Sequence, residues 1–322
     1  MKAYTLRRID SQPELGSAAR PEPGPGEVQI EIEACALNFA DLLMIRGRYQ
    51  DIPQLPAVLG MEFAGHVSAL GPDTPGPAPG TRVAAVAGHG GLAEFAVVPA
   101  SRCVPVPDAM PLDEAAAFQI AYGTSHVALR HRANLQPGET VLVLGAAGGV
   151  GLTAVELAHR MGARVIACAR GPEKLAVAKA AGADEVVDSD RDDLREVFKG
   201  FGGVDVVYDA LGEPHFTPAL RACRPEARYL VIGFAGGTVP QIPANILLVK
   251  NIDVMGLYWG GYLKFAPEVL TESLAELFSW YEDGKLTPHI SHRLPLSRVA
   301  EGLEILKERR STGKIVIQPK AR

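Results

Sequence analysis

The chain has little from which a metal site, a disulfide framework or a membrane span could be built. Its four cysteines, Cys35, Cys103, Cys168 and Cys223, are far apart, with no CxxC pair and no cysteine/histidine cluster among the 322 residues. That spacing excludes a disulfide scaffold and predicts reduced, mostly buried thiols. No stretch approaches the roughly 20 apolar residues of a membrane span. The opening MKAYTLRRIDSQPE holds no apolar segment of signal-peptide length, so a cytoplasmic protein with no membrane partner is expected. Basic runs are missing as well, and 32 Lys and Arg against 37 Asp and Glu leave a net charge of -5, which argues against a nucleic-acid surface. The eight histidines show no ligand spacing. Repeats and low-complexity segments are absent too.

What is present is an ordinary globular composition, and the length suggests about two domains. The most informative stretch is VLVLGAAGGVG, Val141 to Gly151. Apolar residues suited to a buried strand run into Gly145, Gly148, Gly149 and Gly151, and LTAVELAHRMGA then has helical spacing. A strand turning tightly into a helix points free N–H groups and the positive helix end at whatever lies above the turn, for which pyrophosphate is the natural guest. The pattern is GxxGxxG rather than GxGxxG, and alone it also fits a glycine-rich turn that binds nothing.

The first hundred residues are rich in short β-like runs: VQIEIEACAL (28–37), EFAGHVSAL (62–70), TRVAAVA (81–87) and LAEFAVVP (92–99). PEPGPGE and GPDTPGPAPG between them are turn chemistry, so a mostly β domain is expected. From Leu112 the pattern becomes helical, with Asp113 and Glu114 early, where acids favour a helix N-terminus. After the glycine turn, strands RVIACA, EVVDS, VDVVYDAL and YLVIGFAGG alternate with helices EKLAVAKAAGA, DLREVFKGF and FTPALRAC. Such alternation implies an α/β fold, a Rossmann doubly wound parallel sheet covered on both faces. ILLVKNIDVMGLYWGGY (246–262) mixes strand-like and glycine-bearing pieces, two amphipathic helices follow, and GKIVIQP closes as a strand. The Rossmann domain is expected over 120–256, inserted into a domain made of 1–119 and 257–322.

These motifs together resemble the medium-chain dehydrogenase/reductase superfamily, and within it the zinc-free quinone oxidoreductases related to zeta-crystallin. The carriers are ALNFADLLMIRGRY (36–49), LPAVLGMEFAGHV (55–67), LQPGETVLVLGAAGGVG (135–151), VDVVYDALG (204–212), GFAGG (233–237) and STGKIVI (311–317). The resemblance covers essentially the whole chain and implies that the outer domain is a GroES-like catalytic domain. It also implies a homodimer. Zinc-dependent relatives carry a Cys and a His ligand where this chain has Asn38 and Met61, and an amide and a thioether are poor zinc ligands. Glu62 alone cannot hold zinc, so no metal is expected. Without a Lewis acid to ionise an alcohol, hydride must go to an acceptor that is already electrophilic.

NAD-specific sites usually hold the adenosine ribose with an acid about 20 residues beyond the glycines. Here Ala169 and Arg170 stand there instead, so Arg170 can fork onto a 2′-phosphate, with Lys174, which matches a phosphate-binding lysine of the family, adding charge. NADPH is the expected cofactor. Otherwise both are solvated cations at a helix start. Gly145, Ala147, Gly148, Gly149, Val150 and Gly151 are assigned to the pyrophosphate. Gly233, Phe234 and Ala235 go beside the nicotinamide, by the rule that ligands lie at carboxyl ends of parallel strands. Lys250 and Asn251 are expected to reach the cofactor from the next segment.

The resemblance implies that Asn38, Tyr49 and Thr124 face the nicotinamide and the substrate as the catalytic pocket. Asn38 fits equally the cap of a helix beginning FADLLM, and Tyr49 fits plain packing. Asp41 reads as structural, as do His66 and His126. Leu43 replaces a second pocket tyrosine found in some relatives. Tyr258 and Trp259 fit either the substrate mouth or the core. The expected activity is NADPH-dependent reduction of a quinone without metal. The alternatives are reduction of an α,β-unsaturated carbonyl (enal, enone or enoyl thioester) and a non-enzymatic, NADPH-binding protein of crystallin or sensor type.

Overall fold

The structure is a computed structural model that describes residues 1–321. The early strands are β1 (Lys2–Leu6), β2 (Glu14–Ser17), β3 (Glu27–Ala36), β4 (Ala57–Val58), β5 (Glu62–Leu70), β6 (Arg82–Val86), β7 (Phe95–Pro99) and β8 (Cys103–Pro105). The central ones are β9 (Thr140–Leu144), β10 (Arg164–Ala169), β11 (Glu185–Asp188), β12 (Val204–Asp209), β13 (Cys223–Val231) and β14 (Asp253–Gly256), followed by β15 (Ile290–Pro295) and β16 (Lys314–Gln318). The helices in chain order are α1 (Phe39–Ile45), α2 (Leu112–His126), α3 (Gly149–Arg160), α4 (Gly171–Ala180), α5 (Leu194–Gly200) and α6 (Phe216–Ala222). Then come α7 (Ala244–Lys250), α8 (Trp259–Phe265), α9 (Pro267–Glu282) and α10 (Val299–Lys307). None of these helices is long and apolar enough to cross a membrane.

Two compact units emerge, one of residues 1–120 with the chain from 281 onward, the other of residues 121–280. In the first, a largely antiparallel sheet runs β15-β16-β3-β5-β6-β8, with β7 paired to β3, and a smaller sheet runs β2-β1-β4. Ile30, Ile32, Phe63, Val83, Ile315 and Ile317 belong to its apolar core. The register decides the rest: Ala36, the last residue of β3, pairs with Glu62 on one side and Val316 on the other. The exit of β3 and the entries of β5 and β16 therefore meet at one end of the sheet.

The second unit holds a wholly parallel sheet in the order β11-β10-β9-β12-β13-β14. The order reverses between β9 and β12, and the carboxyl ends flanking that reversal are where ligands bind in such sheets. Near-continuous apolar strands such as Leu142, Leu144, Ile166 and Val207 are fully buried, as strands covered on both faces must be.

Residues 257–280 pack with the second unit, whereas the sequence pattern suggested a return to the first domain at 257. Side chains explain it. Trp259 lies against Gly123, Tyr262 meets His131 edge-on at 5.8 Å, and His126 contacts both Ser273 and Trp280. Leu270, Leu274 and Leu277 of α9 are buried. The ILLV run, strand-like in composition, is the helix α7. Ile246 and Leu247 pack on the sheet core while Leu248 and Val249 are 79% and 80% exposed.

Candidate active site

In the second unit, the glycine turn follows β9 as its spacing requires. Gly145 has φ +75, a left-handed conformation that glycine adopts without strain. The N–H groups of Gly145 and Ala146 both donate to the carbonyl of Cys168 at 3.0 Å, which ties the turn to β10. α3 then starts at Gly149, with Gly148 as its N-cap. A Cβ at Gly151 would stand 2.1 Å from the carbonyl oxygen of Gly145, so only glycine lets α3 begin this close to the strand. The first-turn N–H groups of Gly149, Val150 and Gly151 have no acceptor within the helix, by helix geometry, and face the carboxyl edge of the sheet. Ala147 is buried in the turn itself. This cradle fits the pyrophosphate of a dinucleotide.

Gly233, Phe234 and Ala235 follow β13 at the same carboxyl edge. The N–H of Gly233 donates to Asp209 at 3.3 Å, and that of Ala235 to Ala210 at 3.0 Å. Asp209 shapes the neighbouring turn, its Oδ1 accepting the N–H groups of Leu211 and Gly212 and its Oδ2 the hydroxyl of Tyr229. Burial pushes the Asp209 carboxyl above the usual carboxylate range, against the pull of those hydrogen bonds.

Arg170 is the N-cap of α4, beyond the end of β10. Its Nε donates to Asp190 Oδ1 at 2.9 Å, a partner that the sequence pattern did not suggest. Lys174 lies in the first half of the same helix.

Lys250 and Asn251 are corrections. The Lys250 ammonium donates to the carbonyls of Arg221 and Cys223, at 2.8 and 2.6 Å, closing the end of α6. Cys223 is the amino end of β13, and Asn251, left-handed at φ 53, leads into the amino end of the parallel strand β14. Both residues are therefore at the edge of the sheet opposite the glycine turn. A cofactor lying over the carboxyl ends is out of their reach.

Thr124 is buried on α2 beside a hydroxyl network that sequence reasoning missed. Ser125 Oγ donates to Val150 O at 2.8 Å and meets Thr153 Oγ1 and Tyr208 Oη at 2.9 Å each. Thr153 Oγ1 in turn donates to Ala121 O at 3.0 Å. These bonds fasten the stretch that carries Thr124 to the first turn of α3. No sequence signal marked Ser125, because a lone serine on an apolar helix has no motif. Trp259 is buried, which fits the core reading rather than the substrate mouth. His126 is structural, its Nδ1 2.8 Å from Ser273 Oγ, and burial lowers its pKa while Glu276 opposes.

In the first unit, the meeting of β3, β5 and β16 creates a second polar cluster. Asn38 Nδ2 donates to Glu62 Oε1 at 3.0 Å and to Ala36 O at 3.3 Å, and its Oδ1 accepts from Lys314 Nζ at 2.7 Å. Lys314 also donates to Glu62 Oε1 at 2.8 Å, and Glu62 Oε2 accepts the Ile120 N–H at 2.9 Å. The side chains of this ion pair are 7% and 1% exposed. Both N–H groups of Asn38 are thus engaged, which makes the amide a strut of this cluster. Asp41 accepts the Asn38 and Gly60 N–H groups and is wholly buried, as a structural residue should be. Burial pushes its carboxyl up to about 6, against those hydrogen bonds and Lys314. The Cys35 thiol, also buried, is held well above its ordinary value by burial and then by Asp41 and Glu62. Tyr49 is half-buried against the apolar core of this unit.

Two family models match the chain. One, the alcohol dehydrogenase GroES-like domain, covers residues 24–108, and the other, described as zinc-binding dehydrogenase, covers residues 149–279. The quinone oxidoreductase-like protein 2 homolog of Nematostella vectensis is 40% identical over 303 residues, 92% of this chain and 83% of the relative. The quinone oxidoreductase of Thermus thermophilus, solved also in complex with NADPH, superposes with TM-score 0.87 at 34% identity, over 99% of this chain and all of the other. The Escherichia coli quinone oxidoreductase complexed with NADPH gives 0.91 at 28% identity, over 99% of each chain.

The second family description implies zinc, and the donors present do not fit it. Asn38 Oδ1 and Glu62 Oε1 are both bonded to an ammonium, and Met61 is a buried thioether of the apolar core. Among the described residues no three His, Cys, Asp or Glu side chains are grouped to hold a metal ion.

Proposed function

The chain belongs to the quinone oxidoreductase family of the medium-chain dehydrogenase/reductase superfamily, and on that premise we propose that it is an NADPH-dependent reductase of quinones that works without zinc. The observation that carries the reading is the backbone cradle at Gly145–Gly151 with a cation, not an acid, beyond the next strand. When bound, NADPH supplies a hydride from C4 of its nicotinamide to the acceptor.

The protein's own residues bind, orient and polarise. The Gly145–Gly151 turn would hold the pyrophosphate, Arg170 and Lys174 the 2′-phosphate, and the Gly233–Ala235 segment the nicotinamide side. The Ser125 network holds Thr124 near the first turn of α3. Thr124 would offer a hydroxyl to the oxygen on which charge develops, and water would complete the protonation. Lys314 and Glu62 keep Asn38 in one orientation. Rate acceleration then rests on positioning rather than on a dedicated acid.

The test is an acceptor screen following oxidation of NADPH, and of NADH in parallel, with benzoquinones, naphthoquinones and 2-enals. Quinones should be reduced fastest, and Arg170→Ala should raise the KM for NADPH about tenfold, as loss of a charge-assisted contact does. Faster turnover of enals would overturn the quinone assignment. Tight NADPH binding with no oxidation across the panel would favour a non-enzymatic role. Stoichiometric zinc in untagged protein, measured by plasma mass spectrometry, would refute zinc independence.

A homodimer is part of the proposal. Among the described residues β14 pairs with β13 alone and so is an edge strand, and the neighbouring α7 exposes Leu248 and Val249. An unpaired strand beside an apolar surface favours self-pairing across a twofold axis. Changing Leu248→Asp together with Val249→Asp is expected to reduce the sedimenting mass from twice 34.2 kDa to the single chain. A wild-type protein that already sediments as one chain would remove the dimer.

A further inference from the structure

Arg170 does not wait for a phosphate unaccompanied. Its guanidinium Nε donates to Asp190 Oδ1 at 2.9 Å, and the two side chains are 60% and 59% exposed, so both remain open to a ligand. The pairing is built by the backbone. The N–H of Asp190 donates to Asp188 Oδ1 at 3.1 Å, and the same oxygen accepts the N–H of Gly171, the first residue of α4, at 3.3 Å. That clasp joins the end of β11 to the start of α4 and holds the Asp190 carboxylate beside the N-cap arginine. The adjacent cation of the loop, Arg191, is taken up by a two-bond pair with Asp193.

The electrostatics of the position explain why a carboxylate belongs there. A cation at a helix N-terminus is mildly unfavourable, and an anion is welcome. Asp190 supplies that anion. A 2′-phosphate, carrying about -1.5 to -2 charge at neutral pH, would want the same guanidinium and the same helix end. It would meet Asp190 as a like-charged competitor.

We propose that Asp190 sets the cofactor selectivity of this protein: its carboxylate stands in for the 2′-phosphate at Arg170, and in doing so narrows the preference for NADPH over NADH. The inference rests on the reading that Arg170 meets the 2′-phosphate. Asp190 acts through Arg170 and is a positioning residue. A 2′-phosphate entering the site displaces the carboxylate from the guanidinium, while a cofactor with a plain ribose leaves the pair intact.

The test is the ratio of dissociation constants for NADH and NADPH, read by fluorescence titration of each nicotinamide cofactor in the absence of any acceptor. Four proteins are compared: wild type, Asp190→Asn, Arg170→Ala and the double variant. Asp190→Asn should raise the preference for NADPH about three- to fivefold, the upper part of the range expected for removing one exposed charge from a screened pair. The gain should shrink in high salt, and it should fall below about twofold when Arg170 is already alanine. If Asp190→Asn leaves the ratio unchanged while Arg170→Ala lowers it, the role of Asp190 is overturned and the phosphate reading survives. An equal gain with and without Arg170 also overturns it, since plain repulsion would then suffice. If Arg170→Ala leaves the ratio unchanged, the phosphate reading falls and takes this inference with it.

Discussion

Gly151→Ala is expected to weaken NADPH binding by more than about tenfold and to destabilise the second unit by about 2–4 kcal/mol. The added carbon would lie 2.1 Å from the Gly145 carbonyl oxygen and 2.8 Å from its carbonyl carbon. Both are backbone atoms, so no flexible side chain can move aside. The turn resists opening because the N–H groups of Gly145 and Ala146 are bonded to Cys168. The remaining response is for α3 to lift, which carries its free N–H groups away from the phosphate they would bind. Gly148→Ala is the control. Its added carbon would be 3.4 Å from the same oxygen, and a φ of -80 suits any residue, so a loss under about 1 kcal/mol is expected. Urea denaturation gives the stability and a fluorescence titration the affinity. If Gly151→Ala and Gly148→Ala behaved alike, close approach of α3 to the turn would not be what the glycine provides.

The glycine turn was legible because everything that makes it is local. Strand, turn and helix are consecutive, and RVIACA coincides with β10 residue for residue. The same holds for β5, whose strand pattern is intact over 62–70. Other features depend on partners that no spacing announces. Arg170 was recognisable as a cation in place of an acid, but the Asp190 that occupies it enters through a clasp between β11 and α4. An apolar ILLV run does not reveal at which edge of a parallel sheet it begins, so nothing local places Lys250 and Asn251. The motif around Asn38 is local but its environment is not, since Lys314, 276 residues away, donates to its oxygen. STGKIVI carried the family resemblance without disclosing what its lysine holds. The unit to which residues 257–280 belong is hidden for a related reason: the contacts of Trp259, Tyr262 and α9 are long-range.

Lys314→Met is expected to cost about 3–5 kcal/mol, the usual penalty for leaving one member of a buried ion pair alone. Glu62 would keep the N–H groups of Ile120 and Asn38 but lose the ammonium at 2.8 Å, and with 1% of its side chain exposed it cannot recruit water in exchange. Asn38 would lose the partner of its oxygen as well, so the cluster that its amide braces would loosen. Poor packing of methionine would lower stability too, and a second substitution separates the two causes. Adding Glu62→Gln removes the stranded charge, and its single amide oxygen keeps an acceptor for one of the two donors, Ile120 or Asn38. If the buried charge is the cause, the double variant should recover at least half of the loss, a coupling of about 2 kcal/mol. If packing is the cause, the two penalties should add. Lys314→Arg retains the cation in a larger, planar form and should fall between wild type and Lys314→Met. Urea denaturation at neutral pH measures all of these proteins, and additive penalties would show that the cluster joining β3, β5 and β16 is held by shape rather than by charge.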